Sequence, residues 1–564
     1  MGNIRLFAVV RQDRGSAMLI ALIILVVVFL IGGAALNMSW IETKISSNDM
    51  AAKQTLQAAE SASEYETVQL KNYLSTSLSW SPAVGTINSS ISPLSISGYT
   101  IVESSPIALV AGSQKTKTAS GTYNGLTAWC QRFTVTTTAQ DNNGRAKATV
   151  MRVVEDQLIP LFQFAVFYNG PLEILPGQNM TIGGTNGRIH SNSDIYLAAD
   201  GSATLTIDDR ITTPGKMHHG TLDGRSLTQP VVITDGLGGH PQLTTDSISD
   251  ANWETDSMAT WKGNVQTDVH GIQALNVPIP STSNYGEMIR QGSSSDTFRY
   301  SNQAGLLIID GVAKDKNGTT VNLSCSGNNP ISTASFWDIR ENRTVTVRQI
   351  DITKLQNCAN ARNALSNPPT GADAGILYVS ETAADGDSSK AVRLINGSSL
   401  SSSNLPNGLM VATDNPLYIK GDYNTANRPA AIAADAVIIQ SSNWNDANGN
   451  QSQSSGKRDA SSSDTVNAAI MAGNVPTSGS NYSGGLENFP RFMENWGSGR
   501  TFNFSGSWVC LWQSKKATGR WNGQPDIYTP PARNWNYGID PNNLPPGTPR
   551  VRNLQRIQWY QVRN

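Results

Sequence analysis

The longest hydrophobic stretch of the chain lies near its N-terminus. Residues 17–36 read AMLIALIILVVVFLIGGAAL and contain no charged or strongly polar side chain. A helix rises 1.5 Å per residue, so this stretch is about 30 Å long and matches the hydrocarbon core of a bilayer. Arg5, Arg11 and Arg14 precede it against one acid, Asp13, and the positive-inside rule keeps that end cytoplasmic. We therefore expect a single-pass membrane protein whose bulk lies across the membrane.

The helical pattern continues beyond the apolar stretch. Neither Gly nor Pro occurs from Ala34 to Ser81, whereas a secretory signal would end in a helix break and a cleavage site. Asn48 and the Glu66-Thr67 pair interrupt an otherwise regular stripe. The apolar residues that recur at three- and four-residue steps are Met38, Ile41, Ile45, Ala52, Leu56, Ala59, Leu70 and Leu74. This predicts one helix of about 60 residues and 90 Å. A plain uncleaved anchor is the alternative.

Alternating runs then predict a small β head. Residues 133–139 and 146–154 are rich in β-branched side chains and flank the turn sequence Asp141-Asn142-Asn143-Gly144. An Asn-Gly step between such runs is a strong hairpin signal. We expect the hairpin to pack on the exposed half of the helix.

From about residue 161, apolar pairs recur every eight to ten residues between Gly, Asn and Asp. The pairs are Leu172/Ile174, Met180/Ile182, Ile195/Leu197 and Leu205/Ile207, and a similar texture returns at residues 408–440. Short strands with regular turns are typical of a parallel β-solenoid, in which each coil buries its inward residues on its neighbours. An antiparallel sandwich fits less well because tight hairpin turns are few. The fold class is therefore α+β, with a long N-terminal helix and a large mainly-β region that we interpret as solenoid-like.

Composition and charge narrow the classes of function. The 564 residues include 38% hydrophobic and 15% charged side chains, with a formal net charge of −1, so no basic field indicates nucleic acid as a partner. Four cysteines allow three pairings, and none lies at CxxC spacing. Cys325–Cys358 is the favoured disulfide because these two are nearest in sequence, and four buried free thiols are the alternative.

The N-terminal residues resemble a known family. Arg14-Gly15-Ser16-Ala17-Met18-Leu19, followed by IETKISSNDMAAKQTLQAAESA over residues 41–62, is similar to the start of PilX-type minor pilins of the type IV pilin superfamily. The resemblance covers about residues 10–75. It implies an inner-membrane precursor with a periplasmic bulk, which can move to a pilus or the cell surface. It also implies that a prepilin peptidase cuts between Gly15 and Ser16, and that other pilins and minor pilins are partners.

One position departs from the pattern of major pilins. Those proteins carry a glutamate at the fifth residue after the cut, and this chain has Ile20 there. In the family, that carboxylate neutralises the amino terminus of a neighbouring subunit inside the apolar filament core, where an unpaired charge is costly. PilX-type and tip-located relatives also tend to lack it. The resemblance thus favours an initiating or tip subunit over a repeating one.

No catalytic signature is present: the chain lacks GxSxG, HExxH, GxGxxG and P-loop motifs. His218 and His219 could bind a metal together with His190 or His240, but we interpret them as exposed loop histidines. Asp338, Arg340 and Glu341 are interpreted as a salt bridge at a strand edge. Six C-terminal tryptophans could stack on a surface glycan, although core packing is the commoner use; they are residues 496, 508, 512, 521, 535 and 559. We predict no metal, no cofactor and no enzymatic activity.

These patterns divide the chain into five predicted segments. They are a leader (1–15), a transmembrane and amphipathic helix (16–80), a small pilin-like β head (81–158), a β-rich passenger (159–475) and an aromatic, Pro-rich C-terminal β region (476–564). The predicted function is a minor pilin-like component of a type IV pilus or related secretion filament, active in assembly, initiation or tip display. Two alternatives are a surface adhesin that binds glycan or matrix, and an envelope-anchored β-solenoid enzyme acting on polysaccharide.

Overall fold

The computed structural model describes residues 14–77, 81–92, 94–102, 106–183, 187–280, 283–325, 327–477, 483, 485–519 and 527–562. Residues 1–13 of the predicted leader and Trp521 lie outside these ranges. Within them, one long N-terminal helix precedes a large β-rich region, which confirms the α+β fold class.

Helix α1 is continuous over Arg14–Thr76, a length of 63 residues. At 1.5 Å per residue it is about 95 Å long, which confirms the unbroken helix that the sequence predicts. Gly32 and Gly33 lie inside its apolar stretch without interrupting it. Among the described residues, α1 is the one helix long and apolar enough to cross a membrane.

A small head follows the helix. Its elements are α2 (Val84–Ser90), β1 (Tyr99–Val102), β2 (Ile107–Leu109), β3 (Lys115–Thr118), β4 (Thr127–Asp141) and β5 (Lys147–Pro160). Strands β4 and β5 form an antiparallel hairpin in which Gln140 is opposite Lys147. Gly144 adopts φ +69° in the connecting turn, a conformation that favours glycine, and the predicted hairpin is confirmed.

The next part of the chain is built from very short strands. They are β6 (Val166–Tyr168), β7 (Leu172–Ile174), β8 (Met180–Ile182), β9 (Ile189–Ser191), β10 (Ile195–Leu197), β11 (Leu205–Ile207), β12 (Ile211–Thr212), β13 (Met217–His219), β14 (Val231–Ile233) and β15 (Val265–Gln266), with helix α3 (Trp253–Trp261) before β15. They form three parallel ladders, β6-β9-β12-β15, β7-β10-β13 and β8-β11-β14. Equivalent apolar residues therefore stack: Leu172, Ile195 and Met217 are paired in register and buried.

A second series follows helix α4 (Tyr300–Gln303). It contains β16 (Leu306–Ile309), β17 (Val312–Asp315), β18 (Ile331–Asp338), β19 (Arg343–Asp351), α5 (Ile352–Asn357), α6 (Ala359–Leu365), β20 (Ile376–Ser380), β21 (Lys390–Ile395), β22 (Leu409–Ala412), β23 (Leu417–Lys420), β24 (Ala430–Ala434), β25 (Val437–Gln440), β26 (Ser463–Ala472), β27 (Pro490–Phe492) and β28 (Thr501–Cys510). The last strands are β29 (Ala532–Asn536) and β30 (Arg550–Val562).

The two series meet in one sheet, but not in chain order. The order of strands is β15-β12-β9-β6-β28-β26-β24-β22-β20-β16-β17, and every pair is parallel except β16-β17. Trp508 of β28 is paired with Val166 of β6, so the end of the second series lies directly against the start of the first. Their inward side chains form one large apolar core that runs through both series. One passage of the chain through neighbouring ladders is called a coil below.

The final strand leaves this stack and returns to the head. Strand β30 pairs antiparallel with β5, which makes the head sheet β1-β4-β5-β30, with β2 and β3 also on β4. In the sequence, residues 161–549 are therefore an insertion between β5 and β30, which are neighbouring strands of the head sheet.

Candidate functional site

Helix α1 has two halves with different surroundings. Every residue from Ser16 to Met50 is exposed, including the whole apolar stretch. From Ala51 onward one face of the helix is buried on the head. Within this exposed half, residues 17–36 form an apolar surface, which in water needs a membrane or another protein to cover it.

The buried face of the helix is lined by small side chains. Ala58 and Ala59 pack with Ala139 and Ala148 of the hairpin, while Leu70 and Leu74 enter a second apolar cluster with Phe133 and Val154 of the strands. Alanines let the helix backbone approach the sheet closely, and the leucines fill the wider space near the helix end.

Glu66 and Thr67 belong to this buried face, although the sequence pattern treats them as interruptions. Both are buried, and the Thr137 hydroxyl of β4 donates a 2.8 Å hydrogen bond to Glu66 Oε2. The Thr67 hydroxyl donates to the Ser63 carbonyl one turn earlier. A polar residue can occupy a buried position when its hydrogen bonds are supplied there, which hydrophobic periodicity does not register.

Strand β30 attaches the C-terminus to the helix. Arg556 and Arg152 of β5 both pair with Glu64, and Arg552 Nη1 donates to the Leu74 carbonyl in the last turn of α1. That turn contains no basic residue of its own, so Arg552 supplies a cation at the negative end of the helix dipole.

Arg552 also neutralises a buried carboxylate. Its Nε lies 3.2 Å from Asp156 Oδ1, and Gln131 donates to the other carboxylate oxygen at 3.0 Å. Burial raises the pKa of Asp156, and the contacts with Arg552 and Gln131 act against that rise. Helix, hairpin and final strand are thus joined through one polar network.

Arg552 and Arg556 are not recognisable from local sequence because their partners are remote in the chain. A signal was present in the sequence: the arginines at 550, 552 and 556 are separated by even numbers of residues. Residues separated by an even number of positions on a strand point to the same face of the sheet. This spacing does not show that β30 pairs with β5.

The predicted processing residues lie at the start of α1. Gly15 and Ser16 are in its first turns, and Ile20 is 55% exposed. The cleavage between Gly15 and Ser16, and the role of Ile20 in place of glutamate, remain predictions.

The structure joins Cys325 and Cys358 in a disulfide whose Cα atoms are 5.2 Å apart. Cys130 and Cys510 are buried free thiols. Burial raises the pKa of Cys130 to about 11 and that of Cys510 to about 12, so neither is a reactive thiolate at neutral pH.

Four of the tryptophans considered for glycan stacking are buried: Trp496, Trp508, Trp512 and Trp535. Trp508 stacks on Phe504 with ring centroids 3.8 Å apart. Trp559 on β30 is 48% exposed. Core packing, the commoner use, accounts for the four buried rings.

The interpretation of His218 and His219 as exposed loop residues was wrong. Both lie in strand β13 and are half-buried. His218 stacks on Tyr196 of the neighbouring coil, with ring centroids 4.4 Å apart, and its ring nitrogens face Asp194 and Asp246 at 3.6 and 3.4 Å. Among the described residues, no group of three or more His, Cys, Asp or Glu side chains could hold a metal ion.

The salt bridge expected at a strand edge near Asp338 is instead a buried network. The Tyr418 hydroxyl donates to Asp338 Oδ2 at 2.5 Å, and Arg491 pairs with Glu341. Burial lowers the pKa of Arg340 to about 9. Asp338, Arg340 and the side chain of Glu341 are buried because later segments of the chain, which include Tyr418 and Arg491, pack over them. The local charge pattern does not show this packing.

A surface groove of about 730 Å³ lies between the two series of coils and residues 276–290. Each of its aspartates is held by a partner: Asp385 by Arg290 at 2.5 Å, Asp414 by Lys516 at 3.0 Å, and Asp435 by three backbone N–H groups at 515–517. These carboxylates act as structural groups, and the groove does not favour the enzyme alternative.

The part of this chain that matches a known protein family lies within helix α1. Residues 14–64 match the family model described as PilX N-terminal. The N-terminal region of this chain is type IV pilin-like. The match ends within α1, before the head and the coils begin.

Other comparisons add little. A crystal structure of the competence-associated pilin ComZ from Thermus thermophilus aligns with 91% of this chain and 96% of its own at 13% identity, with a TM-score of 0.28. At that score the alignment carries no argument about the fold or function of this chain. No curated protein matches the sequence.

Proposed function

We propose that this protein is a minor pilin-like structural component of a type IV pilus or a related secretion filament, and that it acts in assembly initiation or tip display. The observation that carries the proposal is the division of α1. Its first half is exposed and contains the apolar stretch 17–36, while its second half is fixed to a folded head. The match to the PilX N-terminal family, at residues 14–64, lies within this helix. A pilin needs both features, because the same helix anchors the precursor in the membrane and later packs in the filament core.

The proposed life history begins in the inner membrane, with the N-terminus cytoplasmic and the coils periplasmic. Prepilin peptidase would remove residues 1–15 and leave Ser16 as the new N-terminus. Other pilins and minor pilins would then cover the exposed face of α1. Ile20 offers no carboxylate to a neighbouring amino terminus, which supports a place at an end of the filament rather than a repeating position.

The size of the passenger also supports a position at an end of the filament. We interpret its stacked parallel ladders as a β-solenoid, inserted in the head sheet between β5 and β30. We propose the head as residues 81–160 together with β30, and the passenger as the segment between them. A passenger of this size would crowd its neighbours if every subunit carried one, whereas a tip has room for it.

The role we propose is structural and non-enzymatic. No specific contact among the described residues favours the alternative of adhesion through a surface glycan. The enzyme alternative likewise receives no support from the paired carboxylates of the groove.

The test is filament assembly in the native host. The gene would be deleted and restored with an epitope tag after Ser454, an exposed residue in a loop. Filaments would be counted by electron microscopy and labelled with gold-conjugated antibody. We expect few filaments in the deletion strain, restoration by the tagged gene, and gold at filament ends.

A matched pair of variants sharpens this test. Gly15→Val should block cleavage and fail to restore filaments. Gly32→Val lies inside the apolar stretch 17–36, where an added side chain meets no atom within 4 Å, and should restore them. Normal filament numbers without the gene, and no protein in sheared filaments, would exclude the proposed role.

A further inference from the structure

Two arginines occupy equivalent positions on neighbouring coils. Ile189 of β9 and Ile211 of β12 are paired in parallel register, and Arg188 and Arg210 immediately precede them. The Ile189 N–H donates to the Arg210 carbonyl at 2.8 Å, so the two arginines are direct neighbours on one face of the stack. Like charges in such positions repel each other, which destabilises the pair unless something compensates.

Both guanidinium groups reach the same residue of the head. Arg188 Nη1 donates a 2.7 Å hydrogen bond to the carbonyl of Gly125, in the connection that leads into β4. A Cβ built on Gly125 would lie 3.6 Å from Arg210 Nη1. The two cations therefore converge where the head touches the coils.

A cavity of about 80 Å³ lies at this point. Its polar lining comes from Asn124, Thr212, Gln266 and Gln273 as well as the arginines, and none of the described lining residues is a carboxylate. The nearby Asp209 accepts the backbone N–H of Arg210 at 2.6 Å. Within the part of the chain that the structure describes, no ion pair joins Arg188 or Arg210 to an acid within 4.0 Å.

The other ionisable groups in the wall, Tyr123 and His190, do not provide a counter-charge. Burial raises the pKa of the Tyr123 phenol, which is therefore neutral at pH 7. His190 is buried, with its ring nitrogens 2.8 Å from Thr212 Oγ1 and 3.0 Å from Asn192 Oδ1. Burial lowers the pKa of His190 to about 4, so the ring is neutral at pH 7. Burial and the neighbouring Arg210 also lower the pKa of Arg188, and the opposing effects of Asp209 and Tyr537 do not offset them.

We propose that Arg188 and Arg210 bind a phosphate or sulfate group in this cavity. The planar guanidinium fork matches the oxygens of such groups, and charge-assisted hydrogen bonds to it are strong. Water occupies about 30 Å³ per molecule, so the cavity has room for one tetrahedral oxyanion. Because the wall combines the head turn 123–126 with the coils, the bound group would hold the passenger against the head. This site does not depend on the proposed filament role.

Binding would be measured on the full chain in a nonionic detergent, in buffer free of phosphate and sulfate. Isothermal titration calorimetry with inorganic phosphate would be paired with thermal unfolding at rising phosphate. We expect saturable binding and a rise in Tm. Arg210→Gln should weaken binding by about tenfold or more, since one charge-assisted partner is lost. Arg225→Gln, which removes an arginine paired with Asp223 elsewhere on the coils, should bind like the wild type.

The two measurements separate binding from a merely structural role. Arg210→Gln removes repulsion, so without phosphate its Tm should equal or exceed that of the wild type, and phosphate should no longer raise it. A lower Tm at every phosphate concentration, with unchanged affinity, would overturn the proposal. So would the absence of saturable phosphate and sulfate binding to the wild type. If Arg210→Gln fails to fold, Arg188→Gln supplies the comparison of phosphate affinity, and its Tm without phosphate also reflects the lost hydrogen bond to Gly125. Tighter binding of glucose 6-phosphate than of phosphate would assign the site to a group on a larger ligand; weaker binding would assign it to the free ion.

Discussion

Arg550 lies directly opposite Pro160 in the antiparallel ladder between β5 and β30. The next rung continues the pairing, because the Leu161 N–H donates to the Pro549 carbonyl at 2.9 Å. The passenger thus leaves and re-enters the head at adjacent points on one sheet edge. An insertion with neighbouring ends adds little strain to the domain that receives it.

We predict that a two-residue Asn-Gly turn can replace residues 161–549. The head core around Leu70, Leu74, Phe133 and Val154 does not involve the passenger, so the shortened protein should retain α1 and the six-stranded head sheet. Circular dichroism and a cooperative thermal transition in detergent would check this. The control ends the chain at Pro160 and also removes β30. It should unfold at a much lower temperature, because β5 and Asp156 lose their partners. Equal stability of the two shortened chains would contradict the role assigned to β30.

The mature protein is predicted to begin at Ser16. Intact-mass analysis from cells with active prepilin peptidase should show the loss of residues 1–15 in the wild type and in Gly32→Val. Gly15→Val should retain them. A wild-type mass that includes the leader would show that the PilX-like start is a plain anchor in this chain.

Replacing Thr137 with Val should loosen the contact between helix and head. The variant keeps the shape and strand propensity but removes the hydrogen bond from the Thr137 hydroxyl to the buried Glu66 Oε2, at a cost of about 1–3 kcal/mol in the free energy of unfolding. Thr136→Val is the matched control: its side chain points to the other face and is half-buried, so the change should be within about 0.5 kcal/mol. Chemical denaturation of the two variants tests the difference. Equal effects of the two substitutions would mean that the Thr137–Glu66 hydrogen bond does not stabilise the packing of α1 on the head.

Glu494 should make the passenger less stable as the pH rises. Its carboxylate accepts hydrogen bonds from the backbone N–H and hydroxyl of Ser441, yet burial raises its pKa to about 7 from 4.5. The folded state therefore binds the proton more tightly than the unfolded state. Its stabilising contribution is full below about pH 4.5 and is lost as the pH rises through 7.

Glu494→Gln isolates this contribution. Between pH 5 and 8, the stability of the wild type relative to the variant should fall by an amount on the order of 3 kcal/mol, measured by thermal unfolding. Glu254→Gln, at an exposed position on α3, should follow the wild-type curve. Parallel curves for the wild type and Glu494→Gln would contradict the raised pKa of Glu494.

The sequence alone determined the features whose partners are close in the chain. The apolar stretch and the absence of Gly and Pro after it specified α1, because a helix forms its hydrogen bonds within four residues. The Asn-Gly turn specified the β4–β5 hairpin for the same local reason. The recurring apolar pairs at 172–207 correctly marked the short strands.

Only the tertiary structure decided which strands meet. Strand pairing depends on contacts between distant segments, and alternation along one strand does not identify its neighbour. The sequence therefore could not place β28 against β6, return β30 to β5, or bring Arg552 to Leu74. It could not show that Glu66 is buried with a donor, or that Arg188 and Arg210 are neighbours across a coil. These relationships arise from the packing of remote segments, and they turn a pilin-like helix and a series of short strands into one connected molecule.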